Sequence, residues 1–287
     1  MVESFESYRS YLFAIAYRML GSAMDAEDMV QETYLRYQRT QPETISSLKA
    51  YLTTIITRLC MDQLQLARRK RELYVGPWLP EPILTRTTTE VADPQERVDM
   101  EESISLAFLL LLERLQPVER AVFLLREVFE YEFAEIAGIL GKSEAACRRS
   151  FSRAKQHLSQ HRPRFPSSPQ AHRQLLTSYM QAVQTGEMGA LEHMLAEDVT
   201  LWADSGGKVK QAALRPITGR DAVARFSMGT RRFLPQDYQV EIAVVNGQPA
   251  TVFRANGKAF LVLAIEIEAG RIQTVRLMAN PEKLPHI

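Results

Sequence analysis

Residues 133–155, FAEIAGILGKSEAACRRSFSRAK, gather three arginines and a serine on one helical repeat. Ile136, Ala137 and Leu140 make the inner face of a first helix, and Gly141 supplies a turn. Ser143 can cap a second helix. On that helix Cys147, Phe151, Ala154 and Leu158 form a buried stripe, which leaves Arg148, Arg149, Ser152 and Arg153 pointing outward. Guanidinium groups so placed suit base edges and phosphates in a DNA groove. The chemistry at residues 25–32, DAEDMVQE, is the opposite: four acids and no base. There Asp25, Asp28 and Glu32 line one stripe of a helix, either the solvated face of a capped amphipathic helix or a surface for a partner. A third group is Asp204 in WADSGGK, with Trp202 and Asp198 nearby. A carboxyl in apolar surroundings can act as a general acid or base. An Asp at a glycine-rich strand end also serves simply as a turn former. No histidine accompanies it, because His193 falls in a helical segment and His286 near the end of the chain.

These groups sit in a chain of 287 residues with 46% hydrophobic and 24% charged residues, enough for two or three globular domains. Net charge is +1, but charge is arranged in blocks. The segment 58–71 is basic, 90–102 is acidic, and 142–164 carries seven Lys/Arg against the single acid Glu144. Separate surfaces for separate partners are implied, one of them polyanionic. The two cysteines, Cys60 and Cys147, have neither disulfide nor zinc spacing and read as buried thiols in a reducing compartment. No apolar run reaches the roughly 20 residues of a membrane span, and no secretory leader is visible. A cytoplasmic protein without membrane contact is expected, with no metal and no cofactor.

The elements that must position these side chains follow from periodicity. Residues 1–75 read as helices throughout. One begins near Gly21 and Ser22, where Asp25 and Asp28 have capping-box spacing, and places Ala26, Val30, Thr33 and Tyr37 inward. Another carries Leu52, Ile56, Leu59 and Leu66 and ends in Arg68, Arg69, Lys70 and Arg71. Residues 76–99 hold Pro77, Pro80, Pro82 and Pro94 and form a connector. Residues 100–162 are a second helical domain, and 163–170 a Pro/Ser linker. From 171 to 287 amphipathic helices, one of them over ALEHMLAE, precede alternating runs. Asn246-Gly247, Asn256-Gly257 and Ala269-Gly270 punctuate those runs as hairpin turns. The expected fold is multidomain: two all-α domains, then an α+β curved sheet around helices.

The segments AYRMLGSAMDAEDMVQETYLRY and AYLTTIITRLCMDQL resemble region two of bacterial sigma factors, and LQPVERAVFLLREVFEYEFAEIAGILGKSEAACRRSFSRAK resembles region four. With nothing like region three between them, the chain resembles the extracytoplasmic-function (ECF) sigma factors. Its third domain, WLPEP and NPEKL resemble the group with a fused SnoaL-like cone. The resemblance implies a protein that binds core RNA polymerase at the β′ clamp helices and the β flap, recognises promoter DNA, and is not an enzyme. Asp25, Asp28, Gln31 and Glu32 would dock on the polymerase. Arg148, Arg149, Ser152 and Arg153 would read the minus-thirty-five element. The loop TQPETISS would capture unpaired minus-ten bases, with Arg58 and the run Arg68, Arg69, Lys70 and Arg71 on phosphate. The group's motif DGGGK stands here as DSGGK, with Ser205 in place of a glycine, so a catalytic role for Asp204 is in doubt. A small-molecule ligand could occupy the SnoaL-like pocket. Two rival readings are a ligand-responsive helix-turn-helix regulator working without polymerase and a SnoaL-like isomerase or cyclase with a DNA-binding appendage.

GPWLPEP, residues 76–82, is unlike a slack tether, since three prolines stiffen it and a tryptophan asks for a groove. We expect the third domain to clasp it, burying Trp78 with Leu79 and Pro80 beside Asp204, Gly206, Gly207, Lys208, Asn280 and Pro281.

Overall fold

A computed structural model describes residues 2–40, 45–85, 104–159 and 168–287. The side chains of Arg68, Arg69 and Lys70 lie outside the described residues, as do positions 41–44 of TQPETISS, 86–99 of the connector and 163–167 of the second linker. Two compact units result. One comprises Met1–Leu73 with Phe108–Arg162, the other Tyr74–Ala107 with Pro163–Ile287.

The first unit is all helical. α1 (Val2–Leu20), α2 (Ala23–Gln38) and α3 (Leu48–Glu72) pack together, and α4 (Leu106–Leu112) leads back to α5 (Pro117–Glu127), α6 (Phe133–Leu140) and α7 (Glu144–Ser159). α2 buries Ala26, Val30, Thr33 and Tyr37 as its periodicity predicts. Its cap differs from the expected one: Ser22 Oγ accepts the Asp25 amide at 3.1 Å, so Asp25 sits inside the first turn rather than at its head.

The two helical halves meet along a polar seam. Tyr131 Oη lies 2.8 Å from Tyr11 Oη and 2.9 Å from Thr53 Oγ1. Burial foremost, and the Tyr131 contact next, raise the Tyr11 pKa. Arg120 donates to the Met19 carbonyl at 2.5 Å and to Glu113 at 3.1 Å, while Arg71 donates to the Leu20 carbonyl at 3.0 Å and also pairs with Glu113. Burial pulls the Arg120 pKa down to about 9 and that of Arg71 to about 10. Arg71 was expected on DNA phosphate. It is instead committed internally, because the C-terminal carbonyls of α1 need donors and α3 passes beside them.

The second unit sets α8 (Pro169–Thr185), α9 (Met188–Met194) and α10 (Arg220–Thr230) against one six-stranded sheet. The strands are β1 (Leu195–Asp204), β2 (Ile217–Thr218), β3 (Tyr238–Val245), β4 (Gln248–Ala255), β5 (Lys258–Glu268) and β6 (Arg271–Met278), ordered β2-β1-β6-β5-β4-β3. The helix expected over ALEHMLAE stops at Met194, and β1 takes over at Leu195 to pair in parallel with β6. All three predicted hairpin turns form, with positive φ at both turn residues. The sheet's concave face buries Leu201, Ala203, Phe253, Leu263 and Val275 against the helices.

His172, on α8, is 5% exposed, and burial lowers its pKa against the opposing pull of Glu266. The unfolded chain thus binds a proton that the folded unit resists. Stability from the neutral imidazole should be present above about pH 6.5 and decline on acidification below it. Thermal melts at pH 7.5 and pH 5.5 should show a larger acid loss for the wild type than for His172→Leu.

Candidate functional site

β1 divides two chemistries by the alternation of a strand. Ala203 faces the helices and lines a cavity, whereas Asp204 points through the opposite face and is 0% exposed. In register with Asp204 stand Met278, Val262 and Val252, all completely buried on that same outer face. The connector lies there. Asp204 Oδ1 accepts from Tyr74 Oη at 2.5 Å, and Oδ2 accepts from the Leu79 amide at 2.8 Å and from Lys283 Nζ at 2.6 Å. Lys283 also donates to the Leu79 carbonyl at 2.6 Å. Its ammonium sits 4.3 Å from the centre of the Trp78 ring and 4.9 Å from that of Tyr74. Burial, then the bond to Asp204, raises the Tyr74 pKa.

Both backbone groups of Leu79 are therefore held by one buried ion pair. Leu79 is 1% exposed and Pro80 is buried, while Trp78 is only half-buried. Leu79 is the anchor that the sequence reading assigned to Trp78; the larger ring instead covers the lysine. Gly206 and Gly207, at φ +57° and +75°, let the connector approach. A Cβ on Gly206 would stand 2.7 Å from Asn280 Nδ2, and one on Gly207 2.9 Å from Val75 Cγ1. Asn280 Nδ2 donates to Tyr74 Oη at 2.8 Å, Pro281 opens the short helical turn Pro281–Lys283, and Lys208 pairs with Glu282 at the surface.

A second anchor was missed by sequence reasoning. Asn246, 1% exposed in its hairpin turn, accepts from the Ile83 amide at 3.1 Å and donates to the Ile104 carbonyl at 2.8 Å. One side chain so ties down the chain on both sides of residues 84–103. Thr85 extends the edge strand β3 by donating to the Val244 carbonyl at 2.9 Å. Asn246 read as a turn residue, and its side-chain partners, more than 140 positions away in sequence, gave no local signal. Lys283 was visible only as a letter of NPEKL.

In the first unit, Gly141 ends α6 in a left-handed conformation and Ser143 Oγ accepts the Ala146 amide at 3.2 Å. α7 buries Cys147, Ser150, Ala154 and Leu158; Phe151 is half-buried, so Ser150 replaces it on the predicted stripe. Arg149 and Ser152 stand exposed side by side. Arg148 pairs with Glu144 at 2.5 Å and lies over the Phe133 ring, and Arg153 donates to the buried Glu119 at 2.8 Å. Arg58 is exposed, yet its Nε donates to the Ile139 carbonyl at 3.0 Å. On α2, Asp25 accepts from Gln63 at 3.2 Å and Glu32 pairs with Arg36 at 2.9 Å. Asp28 and Gln31 are exposed, and Met24 and Leu35, 49% and 41% exposed, extend their line at helical spacing.

Comparison with known proteins identifies the two helical halves. Residues 4–71 match the model for Sigma-70 region 2, and residues 105–158 that for Sigma-70, region 4. ECF RNA polymerase sigma factor SigJ of Mycobacterium tuberculosis is 36% identical, over 98% of this chain and 92% of that protein. The chain belongs to the ECF RNA polymerase sigma factors. The crystal structure of SigJ matches this sigma factor with a TM-score of 0.75 at 35% identity, over 99% of this chain and 98% of that one. The probable sigma factor SigI of the same species is 30% identical over 98% of the chain and 93% of its own length. Among the described residues no helix of the sigma factor is long and apolar enough to cross a membrane.

Proposed function

We propose that this ECF sigma factor joins core RNA polymerase to a two-part promoter, and that its SnoaL-like domain governs initiation by holding the connector between regions two and four. The observation that carries the regulatory part is Leu79, bound through its amide by Asp204 and through its carbonyl by Lys283. Core binding falls to the stripe Met24, Asp28, Gln31 and Leu35, where two exposed apolar side chains flank an acid and an amide. Asp25 and Glu32 shape that face from its margin, since each has a partner within the unit. Arg149 and Ser152 read base edges. Arg148 and Arg153 are steered by Glu144 and Glu119 and serve as phosphate or positioning contacts.

The SnoaL-like domain is assigned no catalysis. Asp204, the acid/base candidate that the sequence offers, faces away from the cavity and is occupied by Tyr74, Leu79 and Lys283.

Run-off transcription with purified core polymerase tests the reading. Charge reversal at Asp28 should weaken core binding while DNA contacts persist. Arg149→Ala should lose about 1–3 kcal/mol of discrimination at one or two upstream positions. Tight, specific footprinting by the free protein with no effect on initiation would favour the polymerase-independent regulator.

A further inference from the structure

A helix that reads DNA meets base edges with one face, so its roll about its own axis decides which side chains reach them. On α7 the buried stripe Cys147, Ser150, Ala154 and Leu158 sets that roll coarsely. Successive residues step about 100° round an α-helix, so Arg153 and Lys155 leave the axis on opposite flanks of the buried Ala154. Each flank is tied to α5. Arg153 Nε donates to Glu119 Oε1 at 2.8 Å, and Lys155 Nζ donates to Glu127 Oε1 at 3.0 Å. Ser152 and Arg149 stand on the exposed arc between the two tied residues.

Both ties are backed by further contacts. Glu119, 7% exposed at its side chain, also accepts the Gln116 amide at 3.3 Å through Oε2, and His157 Nδ1 lies 3.9 Å from that oxygen. The Gln116 bond belongs to the capping box of α5, which orients Glu119 independently of Arg153. Arg153 is held at a second point, where its Nη2 donates to Ser150 Oγ at 3.4 Å. Glu127 closes the other end of α5, and Lys155 Nζ also lies 5.3 Å from the centre of the Phe151 ring. Phe151 packs in turn on Phe123 of α5 and Phe133 of α6, with centroids 6.2 and 5.5 Å away.

We infer that Glu119 and Glu127 are positioning residues: as a two-sided clamp from α5 they set the roll of α7, and with it the base preference of Arg149 and Ser152. At about 6 Å from the helix axis, a roll of about 15° moves a side-chain tip by about 1.5 Å, against a window of roughly 0.5 Å for an N–H···O bond. Apolar packing along the stripe is non-directional and resists so small a turn weakly. Two ion pairs on opposite flanks resist it in both directions, because a roll that slackens one stretches the other. The exposed Glu127–Lys155 pair adds little to stability. What the pairs supply is orientation.

This inference rests on the reading of α7 as the base-reading helix, so the experiment separates the two. The holoenzyme of full-length protein and core polymerase selects from a promoter pool randomised across the upstream element, the rest of the promoter held constant. Glu119→Gln with Glu127→Gln keeps both side-chain shapes and the acceptor of the capping box, with thermal melts to confirm folding. At the positions that Arg149→Ala relaxes, its base preference should fall about threefold or more, while total retention of the pool holds or rises as two acids are removed. A purely electrostatic role would move retention and its salt slope but not the ratio between bases. Glu127→Lys and Lys155→Glu should each relax the preference, and the two combined, which remake the pair with charges exchanged, should return it to within about twofold of the wild type. Unchanged base preferences in the folded glutamine variant overturn the clamp, and so does a charge exchange that restores nothing. Should Arg149→Ala leave every preference unchanged, the base-reading assignment of Arg149 fails by itself. The clamp then stands or falls on whether the glutamine variant still shifts the preferences of the pool.

Discussion

Asp204→Ala should release the connector and cost the second unit about 3–5 kcal/mol, the usual penalty for removing one partner of a buried ion pair. Lys283, 7% exposed at its side chain, would keep its charge with only the Leu79 carbonyl and two aromatic faces to balance it. The Leu79 amide and the Tyr74 hydroxyl would lose their acceptor as well. Asp204→Asn preserves shape but not charge and should fall close to the alanine variant. Hydrogen exchange over residues 74–85 should accelerate in both, and run-off transcription should change while α7 still binds DNA in region four alone. Transcription at wild-type levels from a variant with a demonstrably released connector would remove the clasp from regulation.

Much of this arrangement was legible beforehand, for identifiable reasons. α2, α6 and α7 announce themselves through local periodicity and caps, and the Asn-Gly turns demand positive φ wherever they occur. WLPEP, DSGGK and NPEKL could be brought together only through a resemblance, because the bonds from Leu79 to Asp204 and Lys283 span more than a hundred residues. Leu79 was expected in the clasp but ranked behind Trp78, since side-chain size suggests the anchor, whereas a backbone amide and carbonyl bound by one ion pair leave no mark in composition. The same blindness applied to Arg71. Four consecutive bases look alike as letters, but the last is positioned to reach the carbonyl of Leu20.

Glu113→Ala should destabilise the first unit by a comparable ~3–5 kcal/mol. Arg120, 3% exposed, and Arg71, 22% exposed, both lean on this carboxylate, so its loss removes a shared counter-charge from two guanidinium groups that keep their bonds to the Met19 and Leu20 carbonyls. Burial already pulls Arg120 down to about 9, a sign of how poorly that position tolerates charge. The paired replacement Glu113→Leu with Arg120→Met should recover most of the loss, because an apolar pair of similar volume avoids the desolvation. A double-mutant cycle in denaturant midpoints measures the coupling. Additive losses across the cycle would mean that Glu113 and Arg120 do not act as a pair.

The seam also sets a length. Elements named minus-thirty-five and minus-ten lie about 25 base pairs apart, roughly 85 Å of duplex at 3.4 Å per pair. A compact body of about 130 residues has a radius of gyration of only ~14 Å. With Arg58 bonded to Ile139 at 3.0 Å, the face assigned to one element abuts the helix-turn-helix assigned to the other. On the proposed assignment, a first unit that stayed closed would be a ruler too short to span both elements. Asn246 holds the chain at Ile83 and again at Ile104, so the stretch between them adds no reach to the connector while those two bonds last. If the two elements have to be reached together, a longer spacer would call on both the Asn246 bonds and the Leu79 clasp.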